Sequence, residues 1–220
     1  MVSQAMEDYL AAIWRLTQHG GVATTSEVAR RLKVTAASTS AMFRKMADAG
    51  LVEYREYSGA SLTAAGETAA MGYIRRHRLT ERFLVDILGI SWERADALSD
   101  QMEHSLPDEV LDRMDAVLGH PDTCPHGFPI PTREGHLQQQ PMIDLTMLPS
   151  GETATVAQVA ENDPDLLAYF GRHGLRPGAA VSMVERDATA QTYTLQVGPE
   201  GARLILGKAV AALVRVGTTR

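Results

Sequence analysis

At 220 residues, with 45% hydrophobic and 22% charged side chains, the chain is long enough for one large domain or two to three small ones, each with its own core. A net charge of −6 argues against a uniformly basic nucleic-acid binder, and no apolar run reaches the length of a membrane span. Glu7 and Asp8 interrupt the N-terminus where a secretion signal needs its apolar core, and the one cysteine, Cys124, cannot close an intrachain disulfide; both fit a cytoplasmic protein.

Residues 4–18 place Met6, Leu10, Ile13, Trp14 and Leu16 at helical spacing, predicting a helix ended by His19-Gly20-Gly21. Thr24 to Leu32 carries a Thr or Ser cap with Glu27 in the first turn and Val28, Ala29 and Leu32 facing inward. Thr35 then caps a further helix on which Met42, Phe43 and Met46 pack inward until Gly50 stops it. Two short helices joined by a few residues, followed by LVEYREYSGASLT as two strands about Ser58-Gly59, form the pattern of a winged helix-turn-helix. Charge supports that reading. Within residues 24–47, Arg30, Arg31, Lys33, Arg44 and Lys45 stand against Glu27 alone, a local basic excess where double-stranded DNA would dock. The start of the recognition segment offers Thr35, Ala37, Ser38 and Ser40, small groups suited to thymine methyls and backbone shape, with Arg44 and Lys45 later as phosphate contacts.

From Thr63 a long helix runs toward Leu88, and Ser91 is a plausible cap for the next. His77 and Glu81 share one face of the first, while Asp96, Asp100, Glu103 and His104 recur at helical spacing along the second, with Leu98, Met102 and Leu106 marking its buried face. Carboxylates one turn apart repel each other and gain nothing from that arrangement unless a cation sits among them, and His77 and His104 add imidazoles that a solvating face does not need. A third helix begins near Pro107, with Val110, Leu111, Met114, Val117 and Leu118 as its inner face; three helices with wide apolar faces after a DNA-binding module suggest a dimerisation domain.

Residues 120–141 hold five of the ten prolines without clear periodicity and read as a boundary loop or linker, in which Cys124 and His126 are more simply structural than metal-binding. From Met142 the pattern turns to alternation: five short strands, a helical insert PDLLAYFGRHG, and turns at Arg176-Pro177-Gly178 and Gly198, as in a small SH3-like barrel. The fold class is therefore mainly α with a β C-terminal domain, divided into 1–63 (winged helix-turn-helix), 64–141 (helical metal-binding and dimerisation domain with its Pro-rich linker) and 142–220 (barrel). His and carboxylate clusters also serve metal-dependent hydrolases, and a winged-helix regulator can instead sense an organic effector, but the cluster supplies no separate base, nucleophile or Gly-rich substrate loop.

MEDYL, RRHRLTERFL, EH preceded by Asp100, HPDTCPHGFPIP and VAENDPDLLAYFGRHGLRPG follow one another in an order that resembles the diphtheria toxin repressor family of iron- and manganese-dependent transcriptional repressors, nearly end to end. The resemblance implies a homodimer without enzymatic activity that binds operator DNA when metal-loaded and represses metal-uptake genes. It implies a principal site of Asp8, His77, Asp100, Glu103 and His104, and a second of Glu81, Asp96 and Glu161. Asp8 and Asp100 stand where iron-responsive members carry Met and Cys, and hard carboxylate in place of soft sulfur favours Mn(II), with Fe(II) the alternative ion. Pro164 occupies a barrel position where the family offers a second-site ligand. Because Asp8 belongs to the DNA-binding half, the resemblance implies that the metal ties that half to the dimerisation helices.

Overall fold

Three amphipathic helices and a hairpin open the computed structural model, which describes residues 2–18, 20–138, 140–159, 163–199, 201 and 203–217. Helix α1 (Gln4–Thr17) buries Met6, Tyr9, Leu10 and Ile13 along one stripe. Helix α2 (Thr25–Leu32) starts on a reciprocal capping box: the Thr24 hydroxyl accepts from the Glu27 backbone N–H, and the Glu27 carboxylate accepts from the Thr24 N–H at 3.0 Å. The Thr24 side chain and backbone together hold the Glu27 carboxyl below its ordinary value. Lys33, at φ 55, turns the chain toward α3 (Ala36–Asp48), whose cap Thr35 accepts from the Ser38 N–H at 3.1 Å. Phe43 is fully buried between the rings of Tyr9 and Tyr54, at centroid distances of 6.3 and 5.3 Å.

Strands β1 (Val52–Arg55) and β2 (Gly59–Leu62) form the antiparallel wing, with Val52 opposite Leu62 and Arg55 opposite Gly59. Gly59 is required there. Its φ is 118, and a Cβ would lie 2.5 Å from the Ala23 carbonyl, which bonds the Ala60 N–H at 2.9 Å to lock the wing onto the helices.

The chain forms two compact units, Met1–Arg76 with Pro131–Leu137, and His77–Ile130 with Gln138–Arg220. Helix α4 (Ala64–Asp86) contributes to both. The second unit continues with α5 (Trp92–Met102), a 3-10 turn at Glu103–Ser105 and α6 (Asp108–Val117). The buried face of α5 departs from the sequence expectation: Trp92, Ala95 and Ser99 face inward, Leu98 and Leu106 are half-buried, and Met102 is 39% exposed. The buried stripe of α5 thus continues into Glu103, which is fully buried, so a carboxylate occupies a place that apolar periodicity assigns to methionine. On α6, Met114 is buried while Val110 and Val117 remain exposed.

The segment after α6 is packed, not a solvated linker. Cys124, His126, Gly127 and Ile130 are buried, the Cys124 N–H bonds the Phe128 carbonyl, the Ile130 N–H bonds that of Asp122, and the Val159 N–H bonds that of His126. The prolines hold a folded loop in place of regular periodicity. Among the described residues, six strands then form one antiparallel sheet: β3 (Ile143–Asp144), β4 (Thr153–Val159), β5 (Ala180–Asp187), β6 (Thr192–Val197), β7 (Arg203–Gly207) and β8 (Val214–Gly217), in the order β3-β8-β4-β5-β6-β7. The sixth strand, β8, lies beyond the five expected: its alternation, Val214 and Val216 buried about an exposed Arg215, spans only three residues, and pairing between β3 and β4 is what orders it. Helix α7 (Pro164–Arg172) and the short α8 (Lys208–Ala211) cover a core that includes Leu167, Phe170, Met183, Leu195 and, from α5, Trp92.

Candidate metal centre and nucleic-acid interface

His77 is 4% exposed and, among the described residues, meets four carboxylates. Its Nδ1 lies 2.7 Å from Glu103 and 3.4 Å from Asp100, and its Nε2 lies 3.3 Å from Asp96 and 3.7 Å from Glu81. Helical spacing on α4 aims His77 and Glu81 to one side, and the same spacing on α5, carried into the 3-10 turn, brings Asp96, Asp100 and Glu103 to meet them. Burial pulls the imidazole pKa down, but the hydrogen bonds that Asp96 and Glu103 accept from it and the charges of Glu81 and Glu103 outweigh it. His77 therefore titrates well above the ordinary histidine value.

Glu81 also faces a second group. Its Oε1 lies 3.1 Å from Nδ1 of His126, and Glu81, Cys124 and His126 offer oxygen, sulfur and nitrogen atoms all within 4.8 Å of one another. Burial alone would raise the Glu81 pKa, yet His126, His77 and Cys124 hold it below the usual carboxylate value. Neither Glu81 oxygen makes a well-aligned hydrogen bond among the described residues, nor does Oε1 of Glu103. Buried, ionised oxygens left this way are expensive unless a cation satisfies them, and the N, O and S donors gathered here suit a divalent transition-metal ion.

The loop bearing Cys124 and His126 is held from two sides. Arg78, 2% exposed, donates to the Pro129 carbonyl at 2.5 Å and lies over the Phe128 ring at 5.3 Å. Gly127 has φ 86, and a Cβ on it would overlap the Ala157 carbonyl of β4. Sequence reading passed over Cys124 and His126 because a lone Cys-X-His lacks a second ligand pair; their partner, Glu81, is supplied by a distant helix.

The remaining candidates fall elsewhere. His104 is half-buried, with Nε2 3.8 Å from Glu103, at the edge of the His77 group. Asp8 lies on α1 in the first unit, where it accepts from the Tyr73 hydroxyl at 3.2 Å. Glu161 lies outside the described residues. Pro164 begins α7, and the neighbouring Asp163 side chain caps that helix through the N–H groups of Asp165 and Leu166.

On α3, Ala37, Ser38, Arg44 and Lys45 are exposed, Ser40 is half-buried, and the Thr35 hydroxyl is engaged as the helix cap. Arg44 pairs with Glu56 of the wing at 2.6 Å, an exposed contact worth about 0–1 kcal/mol that a phosphate can displace. Tyr57, at the wing tip with φ 65, is fully exposed and was not singled out from the sequence. An aromatic side chain after Glu-Tyr-Arg-Glu is its only signal there.

Comparison with known proteins assigns the parts. Residues 1–60 match the iron dependent repressor N-terminal DNA binding domain, residues 63–132 the iron dependent repressor metal binding and dimerisation domain, and residues 143–217 the FeoA domain. The iron-dependent repressor IdeR of Mycobacterium leprae is 30% identical over 210 residues, covering 90% of this chain and 91% of that one. This chain belongs to the diphtheria toxin repressor family. The diphtheria toxin repressor of Corynebacterium diphtheriae is 33% identical over 191 residues, 82% of this chain and 84% of its own. Among solved structures, a manganese-dependent transcriptional repressor in complex with manganese superposes with a TM-score of 0.89 at 33% identity, covering 97% of this chain and 99% of that one. ScaR with bound Cd2+ superposes at 0.82, with 29% identity and the same coverage. Both donor groups of this family member fall inside residues 63–132, the matched metal-binding domain.

Proposed function

We propose that this protein is a Mn(II)-responsive transcriptional repressor, a cytoplasmic homodimer that binds double-stranded operator DNA when metal-loaded and controls metal-uptake genes. We read it as a regulator and not as an enzyme, since its relatives are repressors. The observation that carries the choice of ion is the pocket around His77, where Glu81, Asp96, Asp100 and Glu103 surround one imidazole. Hard oxygens with a single nitrogen suit Mn(II), and Fe(II) is the alternative. His77, Asp96, Asp100, Glu103 and Glu81 hold that ion, with His104 at its edge; Glu81, Cys124 and His126 form a second, softer group. A divalent ion bound there neutralises carboxylates that otherwise repel one another. The ligand roles of Asp8 and Glu161 rest on the family resemblance alone.

The domains are proposed as 1–63 for DNA binding, 64–141 for metal and dimerisation, and 142–220 for the barrel. Exposed Ile87, Leu88, Met102, Val110 and Val117 supply the apolar side chains a dimer would cover. Among the described residues, no helix is long and apolar enough to cross a membrane. On α3, Thr35, Ala37, Ser38 and Ser40 would face base edges and backbone while Arg44 and Lys45 meet phosphates. An ion binding the DNA-competent form about 100-fold more tightly shifts its population by roughly 2.7 kcal/mol, enough for a switch.

Selection of duplexes from a random library with Mn(II) present, followed by titration of the metal-free protein with Mn(II), Fe(II) and Zn(II) on the selected DNA, tests the reading. Mn(II) should drive binding at the lowest free concentration. Equal DNA affinity with and without each ion would overturn it.

A further inference from the structure

Trp92 opens α5 yet belongs to the apolar core of the C-terminal sheet, and it touches three things at once. Its indole stacks on the His126 imidazole, with centroids 5.4 Å apart and planes at 27°. The Arg176 guanidinium also lies over the indole, 5.0 Å from its centroid. The Trp92 backbone carbonyl lies 3.0 Å from Nε2 of His126, and since a carbonyl can only accept, Nε2 carries a proton; Nδ1, 3.1 Å from Oε1 of Glu81, is then the nitrogen that would face an ion once it gives up its own proton. Gly171 of α7 completes the arrangement: a Cβ there would come 2.8 Å from Nη2 of Arg176 and 3.0 Å from Nε1 of Trp92. Any larger residue would press on the stack.

We propose that Trp92, held through Arg176 and Gly171 by the C-terminal domain, is a positioning residue that fixes the tautomer and ring plane of His126, so that this domain sets the affinity of the Glu81–Cys124–His126 group for a divalent ion. The inference rests on the reading of those three side chains as a metal group. Its physical basis is general: a ligating imidazole is oriented by what its second nitrogen and its faces meet, and loss of such a partner weakens metal binding about 10- to 100-fold. The carbonyl contact sets the proton, and the stack sets the plane. A domain that contributes no ligand from these contacts thereby acts on the site through another residue.

The test uses the full-length protein with Cys124 kept reduced, titrated with Co(II), whose thiolate charge-transfer absorption reports Cys124 ligation apart from any DNA binding. Trp92→Leu, which keeps the backbone carbonyl and removes the stack, should weaken the Co(II) midpoint by about 10-fold, and Trp92→Phe should restore most of the loss. Gly171→Ala keeps the Trp92, Arg176 and His126 side chains but presses its Cβ on the first two, so it should stay folded, as read by its melting curve, while weakening Co(II) on the order of 3-fold. If the wild type develops no charge-transfer band, the metal group itself is misread. If it does, and Gly171→Ala and a folded Trp92→Leu bind Co(II) like the wild type, the positioning role is overturned. Should Trp92→Leu fail to fold, Gly171→Ala decides by the same criterion.

Discussion

Around α1–α3 the buried side chains are almost all apolar, with Leu10, Ile13, Val28, Phe43 and Met46 shut away and Thr39 held by a bond to the Thr35 carbonyl. Between α4 and α5 the buried set instead includes His77, Glu81, Ser99 and Glu103. The first region follows the ordinary rule that burial stabilises by removing apolar surface from water, about 25 cal/mol per Å². The second runs against it, because carboxyl groups gathered around one imidazole, two of them fully buried, add little to stability and are costly without a counter-ion. The difference separates a region complete in itself from one that needs a cation to complete it.

The widest gap between them should appear in folding energetics. Phe43→Ala should destabilise the metal-free protein by about 3–5 kcal/mol, since a fully buried ring leaves a cavity, whereas Glu103→Gln, nearly isosteric, should change it by less than about 1 kcal/mol. Urea unfolding without metal measures both. Equal losses would mean that Glu103 is an ordinary structural residue. His77→Ala should keep the fold but lower the melting temperature of the metal-free protein, since it removes the imidazole that faces four carboxylates, and should reduce the Mn(II) stimulation of DNA binding by about 100-fold or more. A normal metal response in that variant would move the site elsewhere. The softer change, Asp8→Met with Asp100→Cys, should raise the response to Fe(II) and Co(II) relative to Mn(II) by about tenfold, read by anaerobic titration on operator DNA. An unaltered metal ranking would separate selectivity from ligand softness at these positions.

Proton competition should be milder. The His77 pKa is raised well above 6.5 in the folded chain, so the stability it contributes is fully present below the unfolded value and is lost as pH rises through the folded one. The metal-free protein should therefore melt at lower temperature as pH increases across that window. Mn(II) affinity should move the opposite way, rising by up to about tenfold per pH unit until His77 is deprotonated. Calorimetry at several pH values checks both, and a Mn(II) affinity independent of pH would remove His77 from the ligands. The smallest effect belongs to the DNA face: Lys45→Ala should reduce the salt dependence of binding by about one unit in the logarithmic slope, for all sequences alike, and an unchanged slope would take Lys45 out of the interface.

Local rules carried most of the fold into the sequence. Thr24 with Glu27, Thr35 and the glycines at turns each specify an element end by chemistry confined to three or four residues, which is why the helices and the wing were legible. Strand β8 was not, because its identity comes from pairing with β3 and β4 and not from its own four residues. The same division runs through the site. His77, Glu81, Asp96 and Asp100 announce themselves by helical spacing, and Glu103 by its place beside His104. Cys124 and His126 acquire meaning only when Arg78 draws the Pro129 carbonyl toward α4, a contact that no local pattern encodes.

Gly127 lies so close to β4 that the loop and the strand share backbone contacts, and the Cys124, Gly127, Ile130 and Val159 amides are all hydrogen-bonded. A proline-rich tether would expose its thiol to any passing reagent. Here the fully buried Cys124 reaches an alkylating agent or an oxidant only when the loop parts from β4, an interior strand of the sheet, so the reaction of the thiol depends on how often that contact opens as well as on the intrinsic reactivity of cysteine.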